Sequence, residues 1–129
     1  MRGTIVLNEI LKIEESNTEF IYLYKQGCFL RAYNQSAMHF LLDITEYKIH
    51  IRFIKKLNRK IYYLGFPVSN WVNISQICAE KSFQIFEVEN GFRVGLNGNQ
   101  IQDFTEWTKN QDAKLAPGRF DNFDLEQAI

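Results

Sequence analysis

Residues 19–34 read Glu-Phe-Ile-Tyr-Leu-Tyr-Lys-Gln-Gly-Cys-Phe-Leu-Arg-Ala-Tyr-Asn. Both flanks of Gln26-Gly27 are rich in β-branched and aromatic residues, and glycine enters positive φ without steric cost. The stretch therefore reads as two strands folded into a hairpin at that pair. A two-residue loop there sets Lys25 opposite Cys28, Tyr24 opposite Phe29, Tyr22 opposite Arg31 and Phe20 opposite Tyr33. Cross-strand partners share a side of the sheet and neighbours along a strand do not. One face of the ribbon is then almost purely aromatic, and the other carries Ile21, Leu23, Leu30 and Ala32. The aliphatic face demands a cover; the aromatic face is either core or surface.

Upstream, Thr4 is a candidate N-cap for an amphipathic helix with Val6, Leu7, Ile10, Leu11 and Ile13 at helical spacing, closed by Glu14-Glu15-Ser16-Asn17. Downstream, Asn34 or Ser36 caps a second helix to about Leu42, with Ala37, Phe40, Leu41 and Ile44 on one side. His39 falls beside that stripe, with only Asp43 at i+4, and reads as a helix-surface or boundary histidine. From Tyr47 the period changes to two. Ile49, Ile51 and Phe53 alternate with Lys48, His50 and Arg52, giving a strand with one buried and one cationic face. A basic turn from Lys55 to Lys60 leads into Ile61, Tyr62, Tyr63 and Leu64, so a second hairpin is tipped with positive charge. Lysine on an edge hairpin discourages aggregation, and the same residues suit phosphate contacts. Gly65-Phe66-Pro67 breaks the strand, and Ser69 or Asn70 opens a helix with Trp71, Ile74, Ile77 and Cys78 inward. A last hairpin, Phe83 to Val88 and Phe92 to Leu96, turns at Asn90-Gly91. Gln100 to about Gln111 forms a short helix, and an acidic, aromatic tail follows.

With 129 residues, of which 46% are hydrophobic, the chain is long enough to bury its own core. No apolar run of eighteen residues and no secretory pattern is present, so the sequence predicts a soluble, cytoplasmic protein without membrane association. Cys28 and Cys78 stand far apart without ligand spacing, which suggests buried thiols. Net charge is zero, but it is unevenly spread: six basic residues and no acid lie between Lys48 and Lys60, whereas acids outnumber bases two to one beyond Gln102.

Four segments, in order, carry a family resemblance. Tyr24-Lys25-Gln26-Gly27-Cys28-Phe29-Leu30-Arg31-Ala32-Tyr33 resembles the Phe-Tyr-Arg-Met-Gly-Asp-Phe-Tyr-Glu-Leu-Phe segment of the amino-terminal mismatch-recognition domain of MutS proteins. The likeness continues into Leu41-Leu42-Asp43-Ile44, Gly65-Phe66-Pro67 and Phe83-Gln84-Ile85-Phe86-Glu87. The resemblance implies a MutS domain I-like α/β domain over residues 1–98, a mixed sheet of about six strands with three or more packed helices, followed by a C-terminal helix and acidic tail over residues 99–129. The family's wedging Phe falls on Phe29, and its base-bonding Glu falls on Arg31. The stacking residue is kept while the hydrogen-bonding one is inverted in charge, which favours general nucleic-acid binding over mismatch discrimination.

Catalysis needs convergent acids, bases, nucleophiles or metal ligands. The chain offers two histidines and scattered carboxylates, without a nucleotide-binding motif. No enzyme, cofactor or metal is expected. The sequence points to an accessory protein that binds DNA or RNA through Phe29, Arg31, Lys25, Arg52, Lys55, Lys56, Arg59 and Lys60. The resemblance further implies a place beside a reverse transcriptase of a retroelement or a repair protein. The alternative is a protein-interaction adaptor with a decayed DNA-binding surface.

Overall fold

The computed structural model describes residues 6–96 and 103–114. Its element order is α1 (Leu7–Glu15), β1 (Phe20–Gln26), β2 (Phe29–Tyr33), α2 (Asn34–His39), β3 (His50–Ile54), β4 (Arg59–Pro67), α3 (Trp71–Glu80), β5 (Gln84–Val88), β6 (Gly91–Gly95) and α4 (Phe104–Lys114). The strands form one six-stranded sheet in the order β3-β4-β2-β1-β6-β5, so the α/β class with about six strands and packed helices holds. Every one of the five pairings is antiparallel. The sheet is three hairpins side by side, with the β1-β2 hairpin in the middle and the other two paired onto its flanks.

The hairpin register differs from expectation by two residues. Tyr24 lies opposite Arg31, Lys25 opposite Leu30 and Gln26 opposite Phe29, so the turn is Gly27-Cys28. Gly27 takes φ +62° and Cys28 does not enter positive φ. Glycine at the first central position is the pattern of a type II′ turn, whereas the expected register placed it second. Because the slip is an even number of residues, each side chain stays on its predicted face.

The aliphatic face, with Ile21, Leu23, Leu30, Leu64, Phe66 and Val94, is sealed by Ala37 and Phe40 after β2 and by Ile74 and Cys78 of α3. On the opposite face Tyr24, Tyr33, Ile61 and Tyr63 are buried under Leu7, Ile10 and Leu11 of α1. The aromatic face is thus core at its centre. Val6 and Ile13, expected on the inward stripe of this helix, are exposed, and Glu14 takes the inward position instead. Thr4 lies outside the described residues.

Glu14 is fully buried. Its carboxylate accepts the Ser36 N–H at 2.9 Å, the Ser36 hydroxyl at 2.6 Å and the Asn17 amide at 3.2 Å. The first turn of a helix leaves backbone N–H groups without intrahelical partners, and Glu14 supplies one for α2 from another element. The expected caps are therefore corrected: neither Asn34 nor Ser36 caps with its own side chain. Asn34, at φ +46°, accepts the Tyr62 N–H of β4 at 3.1 Å. The second helix passes into a π-helical turn, Phe40–Ile44, and His39 is buried rather than at the surface, its Nδ1 3.4 Å from Asp43.

Two strand readings also change. Phe53 is exposed and Ile54 buried, because Ile54 lies on the face that α1 covers, in one cluster with Ile61 and Tyr63; the short 3-10 segment Lys55–Leu57 follows, closed by Asn58 at φ +51°. Gly65-Phe66-Pro67 does not break β4, which runs through Pro67 opposite Phe29. The last helix is seen from Phe104 to Lys114, residues 100–102 of its expected span lying outside the described residues, and it docks on β4 through Tyr62, whose ring meets Phe104 and Trp107 and whose hydroxyl donates to Asp112 at 2.9 Å. The acidic tail expected beyond it lies outside the described residues.

Candidate nucleic-acid interface

The tip of the β1-β2 hairpin carries Phe29 as the first residue of β2, 36% exposed although its backbone is paired on both sides. The Arg31 guanidinium lies 5.4 Å from the centre of the Phe29 ring and donates to Gln26 Oε1 at 3.0 Å. The Tyr33 hydroxyl donates to the same Gln26 oxygen at 2.6 Å. One amide thereby fixes both the cation and the buried phenol behind it. Gly65 sits opposite Arg31, and a Cβ there would stand 3.0 Å from Arg31 Cγ. The glycine leaves room for the arginine stem to lie across β4 toward the tip. Lys25 is exposed one residue from the tip, on the other side of the ribbon. Cys28 is exposed too, contrary to the expectation of a buried thiol, because it occupies the turn; Cys78 is buried and burial pushes its thiol up to about 11.

The basic turn stands elsewhere. Phe29 is opposite Pro67 and Arg59 begins the same strand, so the two ends of β4 separate the tip from the lysine turn by about 26 Å at ~3.3 Å per residue. The structure brings Phe29 and Arg31 together and sets Lys25 at the same tip on the opposite face. It does not bring Lys55, Lys56, Arg59 and Lys60 to them. Arg59 faces Glu15 of α1 at 3.6 Å, and Lys60 meets Asp112 of α4 at 3.1 Å. Lys55 and Lys56 are exposed. Arg52, half-buried on the edge strand β3 opposite Ile61, belongs to neither group.

Sequence reasoning missed a third feature. The rings of the aromatic face form a ladder across the sheet: Phe86 to Phe20 at 6.4 Å, Phe20 to Tyr22 at 5.8 Å, Tyr22 to Tyr24 at 6.0 Å and Tyr24 to Tyr33 at 6.2 Å. Phe86 and its neighbour Arg93 come from the last hairpin. Their alternation was legible, but the pairing of β6 with β1 was not.

Among the described residues no group of three His, Cys, Asp or Glu side chains could hold a metal ion, and no helix is long and apolar enough to cross a membrane. No family model matches the chain, and neither a curated protein nor a solved structure matches it.

Proposed function

We propose that this chain is a non-catalytic accessory protein that binds DNA or RNA through the tip of its central hairpin, with Phe29 as the stacking ring, Arg31 as the charge beside it and Lys25 as a charge on the opposite face of the tip. The observation that supports this most is the Phe29 ring, left accessible in a doubly paired strand position with a guanidinium against it. An exposed ring offers a face to any base, and stacking contributes about 1–3 kcal/mol per base. Arg31 supplies attraction to phosphate in any sequence, so the binding is general rather than mismatch-specific. The resemblance of residues 24–33 to the MutS mismatch-recognition domain favours the same segment, and accessory action beside a reverse transcriptase or repair protein is the setting it suggests.

The second reading, a protein-interaction adaptor, draws on the acidic partners of Arg59 and Lys60, which offset half of the basic turn. Binding of short labelled single-stranded and duplex DNA and RNA, measured by fluorescence anisotropy at two salt concentrations, separates the two. The nucleic-acid reading predicts binding that weakens with salt and falls about fivefold or more in Phe29→Ala. Absence of binding to every oligonucleotide at low salt leaves the adaptor.

A further inference from the structure

Beyond the tip, the open end of the ring-bearing face invites a partner of its own. The register sets Tyr22 opposite Arg93 and Arg93 opposite Phe86, with Phe20 one row further along opposite Gly95. Phe20, Phe86 and Arg93 belong to neither core cluster, whereas Tyr22 packs against the edge of the one under α1. On this face β6 presents only Gly91, Arg93 and Gly95. Arg93 is therefore the only side chain that β6 places there, and the Phe86 and Phe20 rings close over Gly95 beside it, 3.7 and 3.9 Å from where a Cβ would stand.

The arginine lies between two rings. Its guanidinium sits 4.5 Å from the centre of the Phe20 ring and 5.1 Å from that of Phe86. Arg93 Nε is buried without a hydrogen-bond partner among the described residues, and no described carboxylate lies within ion-pair distance. Every side chain that β1, β6 and β5 place on this face is aromatic, apolar, amide or arginine, without an acid. Phe86 is 38% exposed at the rim. A cation without an acidic partner among the described residues, lying among rings of which one is exposed at the rim, complements an anionic chain that also brings planar groups.

We infer that the open face over β1, β6 and β5 is a stacking platform for single-stranded nucleic acid, with Phe86, Phe20 and Tyr22 receiving bases and Arg93 a phosphate or a base edge. The partner is a single strand because duplex bases are stacked on each other and cannot lie on a sheet, whereas splayed bases stack on exposed aromatics. Phe29 pairs with Gln26, four residues along β1 from the Tyr22-Arg93-Phe86 row, so the tip and Phe86 stand about 14 Å apart across the strands and about 13 Å along them, about 19 Å in all, within reach of a few extended nucleotides. One strand can therefore touch both Phe29 and the platform. The inference rests on the nucleic-acid reading of the hairpin tip and extends it to a second surface.

The test measures a fluorescein-labelled single-stranded 12-mer and the matching duplex against wild type, Phe29→Ala, Phe86→Ala and Arg93→Gln, with Lys55→Ala at the far end as a control. The platform predicts that Phe86→Ala and Arg93→Gln each weaken the single strand about fivefold or more, while duplex affinity and Lys55→Ala stay within twofold. A further variant, Phe86→Trp, keeps a ring and the fold; its added emission is quenched at saturation with the single strand. If Phe29→Ala weakens binding while Phe86→Ala and Arg93→Gln do not, and the Phe86→Trp emission is unchanged, the platform is overturned and the tip stands. Equal losses for duplex and single strand overturn the single-strand assignment. Failure of wild type to bind at low salt overturns both surfaces.

Discussion

Replacing Glu14 by glutamine isolates the one carboxyl group that, among the described residues, the fold encloses completely. Burial raises its pKa from the ordinary 4.5 to about 7, against the opposing pull of hydrogen bonds from Ser36 and Asn17. Between these two values the native state keeps a proton that the unfolded chain has released. Stability is accordingly full below pH 4.5, falls as pH rises through the window from 4.5 to 7, and is level above it. At about 1.4 kcal/mol per pH unit the fall amounts to ~3 kcal/mol. Glutamine resembles the protonated acid, so Glu14→Gln matches wild type at pH 4.5 and exceeds it by up to ~3 kcal/mol at pH 8. Urea denaturation of both proteins at half-unit intervals measures this, and the difference between them cancels every other titrating group. The reasoning fails if wild type is the more stable protein at pH 8. In that case the three donors that converge on the carboxylate outweigh its burial and hold it ionised.

Three further outcomes follow from the packing. A Cβ on Gly91, at φ +144°, would stand 2.0 Å from the Leu23 carbonyl oxygen, so Gly91→Ala costs about 3 kcal/mol or more in denaturant melts; a change under ~0.5 kcal/mol contradicts the β1-β6 register. Tyr62→Phe removes the hydroxyl that donates to Asp112 and weakens the docking of α4 by about 1 kcal/mol, read as amide exchange about fivefold faster across residues 104–114. With a thiol reagent at pH 8, native protein is labelled quickly once, at Cys28, and Cys28→Ser removes that fast phase; rapid labelling of Cys78 contradicts its burial and raised pKa.

The alternation of Phe20 to Tyr24 against Phe29 to Tyr33 made the central hairpin legible, and an even slip of register left its inside and outside unchanged. A turn glycine is acceptable at either central position, so that slip could not be read from the stretch alone. Glu14 was not legible. At the end of a helix it looks like an ordinary polar stop, and only the arrival of Ser36, 22 residues on, makes it a buried cap. Gly65 and Pro67 looked like breakers because their reason lies on another strand, where Arg31 needs the space and Phe29 pairs with the final proline. Of the candidate site, Phe29 and its neighbouring charges were legible as local features. The separation of the lysine turn from them depends on β2 pairing with β4, and the Phe86 and Arg93 surface on β6 pairing with β1; both are joints between hairpins that no local pattern encodes.

The central claim is that the hairpin tip, rather than the lysine turn, meets nucleic acid. Its most direct test is an amide chemical-shift titration of labelled protein with a short single-stranded oligonucleotide at low salt. The account predicts saturable shifts centred on residues 25–31, with residues 55–60 at the far end of β4 left in place. Shifts confined to the lysine turn, or a spectrum unmoved by excess oligonucleotide, contradict it.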